Sequence, residues 1–379
     1  MSLGKLEFES ALAGRSVLVT GHTGFTGGWL VNWLAQLGCR ITGLALPPDT
    51  VPNLFTVANV ADHVASHIGD IRDPACVERA FKESQPSVVF HLAAQPLVSR
   101  SFVDPIESFS TNVMGTAHVL EAARHSTGCQ AVVCVTTDKV YADMRWRWGY
   151  RENDVLGGKD PYSASKACAE LVAKCYVDSL AARGNGVRVA TARGGNIIGG
   201  GDWSRDRIVP DFVRACVSGG ALELRNPKSV RPWQHVLALA HGYMALAERL
   251  LAEPPPTSRT WNLGPASGDV HSVEALVERL GREWKQPRTR IVDRGFPETD
   301  VLLLDSANAK NFLGWDAPLG FAETAQLTAA WFRRYHEDPG QAAAITAEQI
   351  AAYRDLLLAK QSAEKRDTVV VSASHQARI

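Results

Sequence analysis

Neither sign of charge is in excess in this chain, and that removes two classes of partner at the outset. The 40 Lys and Arg residues are balanced by 40 Asp and Glu residues, so neither nucleic acid nor an anionic membrane is expected as a partner. Long hydrophobic runs are also lacking: no stretch approaches the ~18 to 20 apolar residues of a membrane span, and the first nine residues hold no apolar signal core. A cytoplasmic location is the expectation. Cysteine is sparse and scattered. Cys39, Cys76, Cys129, Cys134, Cys168, Cys175 and Cys216 are odd in number and never form Cys-x-x-Cys, so no disulfide framework and no metal site are expected. What is present is ordinary globular composition, 379 residues with 45% hydrophobic and 21% charged. That length suffices for two domains or one elaborated α/β domain with a sizeable core.

The organising stretch is residues 16–30. Apolar and β-branched residues lead into Gly21, Gly24 and Gly27, after which a helical pattern begins, which predicts a strand, a tight turn and a helix. Gly21 lets the chain turn off the strand, Gly24 lets a pyrophosphate approach the backbone, and Gly27 lets the helix pack closely. Free N–H groups at the helix start suit phosphate, and Thr23, Phe25 and Thr26 fill the turn between the glycines.

Further strands are predicted over 40–46, 63–68, 87–92, 131–135 and 187–193, with helices over 105–124 and 161–183. Strands alternating with helices specify a doubly wound parallel sheet, Rossmann-like, whose ligand lies at the carboxyl ends of the strands. Asp70 and Ile71 follow the third strand, where the acid could meet an adenine amino group or cap the helix that begins near Pro74. The fourth strand ends at Leu92 and runs into the small-residue turn Ala93, Ala94 and Gln95, which either admits a ligand to the backbone or serves packing. One element is missing: the second strand ends in Ala45, Leu46 and Pro47, with no acid to hold a ribose. Cofactor affinity is therefore expected to be modest.

Beyond residue 193 the pattern loosens into a smaller mixed α/β region. Residues 1–193 are expected to form the dinucleotide-binding domain, with 232–264 returning to it through a strand at 260–264. Residues 194–360 are expected to bind substrate, and 361–379 to form a flexible tail without helical periodicity.

Tyr162 and Lys166 stand four residues apart on one helix face, where the lysine charge, helped by the positively charged ring of a nicotinamide cofactor, would lower the phenol pKa toward neutrality. Thr137, at the end of the preceding strand, could bond the same substrate oxygen. With that set the chain resembles the extended short-chain dehydrogenase/reductase family, over about residues 14–335. The resemblance implies NAD as cofactor and a homodimer formed as a four-helix bundle by helices 105–124 and 161–183.

Thr136, Thr137, Asp138, Lys139 and Tyr141 narrow the resemblance to the nucleotide-sugar 4,6-dehydratases, and the fillers of the glycine turn point to the branch whose substrate is CDP-glucose. The resemblance makes Asp138 the acid that expels the C6 hydroxyl and Lys139 the base at C5. The second role requires an amine neutralised by burial or a neighbouring cation. It also implies substrate contacts at Gln95, Asn112, Asn196, Asp202, Trp203, Arg207 and Arg231, with the arginines suited to a diphosphate and with plain core packing an equal reading of Trp203.

Overall fold

The computed structural model describes residues 6–180, 186–252, 260–265, 268–292 and 301–376. In chain order the elements that build the site are β1 (Ser16–Thr20), α1 (Phe25–Gln36), β2 (Arg40–Ala45), β3 (Ala65–Ile68), α2 (Pro74–Ser84), β4 (Val88–His91), α3 (Gly115–His125), β5 (Ala131–Val135), α4 (Pro161–Cys175), β6 (Arg188–Gly194), α5 (Val236–Leu251), β7 (Thr260–Leu263), α6 (Phe321–Glu337) and α7 (Ala342–Gln376).

The seven strands form one sheet in the order β7, β6, β5, β4, β1, β2, β3, and every neighbouring pair is parallel. Its central strands are apolar on both faces, as a sheet covered by helices on both sides requires. Val17 and Val19 of β1, Phe90 of β4 and Val133 of β5 join one core with α1, α5 and α6. The intervening Leu18, Val89 and Val132 join another with α2 and α3. The strand order reverses at β1, between β2 and β4, which places the ligand crevice over the turns after β1 and β4.

The return strand expected at 260–264 pairs with β6, register Thr260↔Thr191 to Leu263↔Gly194. The looser region contains short pairings: Ile197–Ile198 with Gln234–His235, Val230–Arg231 with His271–Ser272, and Ala221–Leu224 with Arg288–Ile291. The proline-rich residues 254–256 of this looser region lie outside the described residues.

Three elements differ from expectation, and the first is the helix expected at 161–183, which is α-helical to Cys175 and passes into a π-helical turn over Tyr176–Leu180. The helix expected at 105–124 is broken: Pro105–Phe109 passes through a π-helical turn, Ser110–Met114, into α3. Such a turn widens the helix by one residue and is frequent at functional sites. The stretch expected as a tail is helical in backbone, as α7 continues to Gln376. Ala, Glu, Lys and Gln stabilise a helix by propensity alone, and an apolar period shows only where a helix buries one face.

Candidate functional site

The turn between β1 and α1 is built as its glycines require. Gly21 has φ +80°, and a Cβ there would lie 2.8 Å from the Ala93 nitrogen, so the two crevice turns touch. A Cβ on Gly27 would lie 2.2 Å from the Gly21 carbonyl oxygen, which makes the third glycine a packing partner of the first. Gly24 meets only that carbonyl, at 3.3 Å. It is the N-cap of α1, and no side chain caps the free N–H groups. A backbone cradle with uncapped donors fits a dinucleotide pyrophosphate.

The fillers of this turn face inward. Thr23 is buried and donates to the Leu46 carbonyl at 2.8 Å. Phe25 packs at the rim of the core, and Thr26 is half-buried in the first turn of α1. Leu92, Ala93 and Ala94 are half-buried along the crevice. The side chain of Ile71 belongs to the core, so only its backbone is left for a cofactor. The helix near Pro74 is capped by Asp73, not Asp70. Asp70 instead accepts two bonds from the Arg72 guanidinium, at 2.8 and 2.6 Å. Partial burial works to raise its pKa, and Arg72 overcomes that and holds it low. Asp49, the acid nearest the end of β2, is exposed and close enough to Arg207 for their charges to interact.

The catalytic candidates converge where β5 meets α4. Thr137 caps a short turn, Asp138–Val140; its hydroxyl donates to Asp138 Oδ1 at 3.0 Å and accepts from the Lys139 backbone at 3.3 Å. It also lies within hydrogen-bonding reach of the Tyr162 phenol. Asp160 caps α4 and so fixes the first turn, which carries Tyr162. One turn on, Lys166 donates to the Val135 carbonyl at 2.8 Å.

Three features of this cluster were invisible or different in the sequence. Asp138 is 2% exposed, and its Oδ2 has no hydrogen-bond partner. Burial raises its pKa against the pull of Lys139 and Thr137, which favours a protonated acid. Its seat is Gly195, where a Cβ would come within 1.8 Å of that oxygen. In the free chain Tyr162 is pushed up to about 12 by burial, and the ammonium that was to help lower it donates to the Val135 carbonyl. Burial lowers Lys166 to about 8. Lys139 is exposed, so the chain alone does not supply the burial its proposed role as a base requires.

The candidate substrate contacts divide into two groups. Asn112 sits at the π-helical turn, 1% exposed. It donates to the Gln95 carbonyl and to Ser165 Oγ, at 3.2 and 2.8 Å, and accepts from the Gln95 backbone at 2.9 Å. The amide of Gln95 is likewise occupied, by Ser108 and the Leu97 backbone. Asn112 holds the crevice loop against α4, Gln95 holds it against the segment Pro105–Phe109, and both amides are occupied at each end. Trp203 packs edge-on against Trp331, Phe332 and Tyr335, with ring centroids 5.2 to 5.7 Å apart, and is a core residue. Asp202 holds Arg207 at 3.1 Å, and the Arg207 charge is felt at Tyr162. The Arg231 charge is felt at Asp138. Asn196 has φ +49° and its carbonyl holds Gln234; it is half-buried where the chain leaves β6. Arg207 thus acts near Tyr162 and Arg231 near Asp138, and Asn196 follows Gly195, the seat of Asp138.

Sequence comparison agrees with this geometry. Residues 17–264 match the NAD dependent epimerase/dehydratase family. A CDP-glucose 4,6-dehydratase of Salmonella typhimurium is 44% identical over 85% of this chain and 91% of its own length. A dTDP-glucose 4,6-dehydratase of Xanthomonas campestris is 30% identical over 83% and 92%. Among solved structures, the UDP-glucose 4-epimerase of Thermus thermophilus in complex with NAD superposes with a TM-score of 0.72 at 27% identity, covering 84% of this chain and 98% of that one. By fold, site and similarity together, the chain belongs to the NAD dependent epimerase/dehydratase family.

Proposed function

We propose that this chain is a nucleotide-sugar 4,6-dehydratase converting CDP-glucose to CDP-4-dehydro-6-deoxy-glucose and water. The observation that carries the reading is Asp138, a buried carboxyl with a free oxygen beside Thr137 and Tyr162. Epimerisation at C4 needs no acid to expel a hydroxyl; dehydration does. The 44% identity to a CDP-glucose 4,6-dehydratase supports the same choice and the nucleotide.

The glycine turn after β1, Leu92, Ala93 and Ala94 would hold NAD, with Tyr162 and Lys166 at its reactive end. Bound NAD supplies the hydride acceptor for oxidation at C4 and the donor for reduction at C6. Tyr162 takes the proton of the C4 hydroxyl while Thr137 holds that oxygen. The C4 ketone acidifies the C5 hydrogen, and Lys139 removes it, its amine covered by the sugar seated over the turn. Asp138 gives its proton to the departing C6 oxygen, which leaves as water, and Lys139 returns a proton to C5. Arg207 and Arg231 meet the diphosphate, with Asn196 beside them, and residues 194–360 form most of the substrate side. Incubation with NAD and CDP-, dTDP-, UDP- and GDP-glucose tests this, read as the alkaline ultraviolet absorbance of a 4-keto sugar. CDP-glucose gives the fastest product; product from dTDP-glucose alone would defeat the nucleotide and spare the reaction.

The working unit is a homodimer. Phe102, Val103, Ile106, Met114 and Leu171 are exposed apolar residues, with Ile106 75% and Leu171 57% exposed. They lie on the segment 98–114 and on α4, whose helices pack together. A patch of this kind on two adjoining helices suits a second copy of the same helices, giving a four-helix bundle. Ile106→Asp combined with Leu171→Asp is expected to halve the mass seen by light scattering at about micromolar concentration. An unchanged mass, or a monomeric wild type, would count against the dimer.

A further inference from the structure

Glu170 and Arg193 form a buried ion pair with no part in the proposed chemistry; their side chains are 2% and 4% exposed. A buried pair is weak grounds for stability, because desolvation offsets the attraction, so its partners matter more than its charge. The Glu170 carboxylate is fully used. Oε1 accepts from Thr136 Oγ1 at 2.5 Å and Arg193 Nε at 3.0 Å. Oε2 accepts from Thr191 Oγ1 at 2.7 Å and from the Arg193 fork at 3.1 Å. The remaining guanidinium nitrogen donates to the Tyr141 hydroxyl at 2.8 Å and the Glu152 carbonyl at 3.0 Å.

Thr136 and Tyr141 are the residues on either side of the segment that holds Thr137, Asp138 and Lys139. Glu170 lies on α4, one turn beyond Lys166 and two beyond Tyr162. Tyr141 also donates to Asn262 Oδ1 at 2.6 Å, and Asn262 donates to the Tyr150 and Asp305 carbonyls at 2.7 and 3.1 Å. The ion pair therefore ties together the helix that carries the phenol and ammonium, both ends of the segment that carries the acid, and the loops beyond them.

We propose that the Glu170–Arg193 pair is a positioning device: it grips the segment 137–140 through the hydroxyls of Thr136 and Tyr141, and so sets the placement of Asp138 and Thr137 relative to Tyr162 and Lys166. The proposal rests on the dehydratase reading. Oxidation at C4 and loss of water across C5 and C6 use groups from two elements, and a shift of about 1 Å between them is enough to cost about a hundredfold in rate. Satisfied buried networks of this kind fix one arrangement among several that a segment could adopt.

The test uses hydroxyl deletions, because Glu170→Gln or Arg193→Met would strand a buried charge and could prevent folding. Thr136→Val and Tyr141→Phe keep shape and remove one grip each. Each is expected to lower kcat at least about tenfold while KM for the nucleotide sugar stays within about twofold. Thr136→Ser, which restores the hydroxyl, is expected to recover kcat to within about threefold of wild type. Circular dichroism and thermal midpoints establish that each variant is folded at the assay temperature. Folded Thr136→Val and Tyr141→Phe proteins with kcat within about twofold of wild type would overturn the proposal, and so would a Thr136→Ser variant no better than Thr136→Val. Assays use whichever nucleotide sugar the wild type converts to a 4-keto product, so failure of the CDP-glucose reading shows in the wild type and failure of the positioning role in the variants.

Discussion

Asp138→Asn is expected to lower turnover of CDP-glucose by about a hundredfold to ten-thousandfold, the range spanned by a single positioned general acid, with little change in KM. The substitution keeps the shape that fits against Gly195 and the oxygen that accepts from Thr137. It removes only the proton that the C6 oxygen must take with it. Burial raises the Asp138 pKa, so in the wild type the protonated form persists to higher pH than for an exposed carboxyl, and the contribution of the acid is lost as pH rises through that raised value. The variant is expected to lose that alkaline dependence along with its rate. It should also fold at least as well as the wild type, because a neutral amide replaces a carboxyl that is costly to ionise where it sits. Measurement of 4-keto product against pH, with thermal midpoints alongside, decides the matter. An Asn variant within about threefold of wild-type turnover would remove the reason for preferring dehydration over epimerisation.

Features carried by period and by backbone demand were legible before any coordinates. The glycines at 21, 24 and 27 state their turn directly, because positive φ and close approach leave few alternatives to glycine. Runs such as 131–135 and 187–193 announce a doubly covered parallel sheet. Polar side chains were harder to read. Asn112 and Gln95 read as ligand contacts because an amide near a site can donate and accept in any direction. Only distances reveal that each end is already taken, by Ser165, Ser108 and the loop backbone. Trp203 was ambiguous for a related reason, since an indole suits a base pocket and an aromatic core equally well. Glu170 and Arg193 did leave a signal. Glu170 lies one turn past Lys166 on the same helix face, and Arg193 is a buried arginine near the carboxyl end of β6. Their meeting depends on the packing of α4 against β6, which no local pattern encodes.

Tyr162→Phe is expected to abolish turnover to a comparable degree, about a hundredfold to ten-thousandfold, and for a reason that the structure alters. The sequence credits the lowering of the phenol pKa to the i, i+4 lysine and a nicotinamide charge together, without dividing it between them. In the folded chain burial dominates, the charge of Asp160 pushes the same way, and the phenol is pushed up to about 12. Thr137 and Arg207 oppose this without prevailing. The free protein is therefore unprimed, and the positive charge that makes the phenolate accessible has to arrive with the ligands. This gives a measurable sequence of events. The ultraviolet signature of a tyrosinate is expected to be missing near neutral pH from the free protein, to appear on addition of NAD, and to be lost in Tyr162→Phe. Turnover then rises with pH as the phenolate forms. It falls again above about 8, where Lys166, its own pKa lowered by burial, gives up its charge beside the site. A free wild-type protein that already shows a tyrosinate near neutral pH, lost in Tyr162→Phe, would return the priming to Lys166. A Phe variant that keeps its activity would remove Tyr162 from the chemistry altogether.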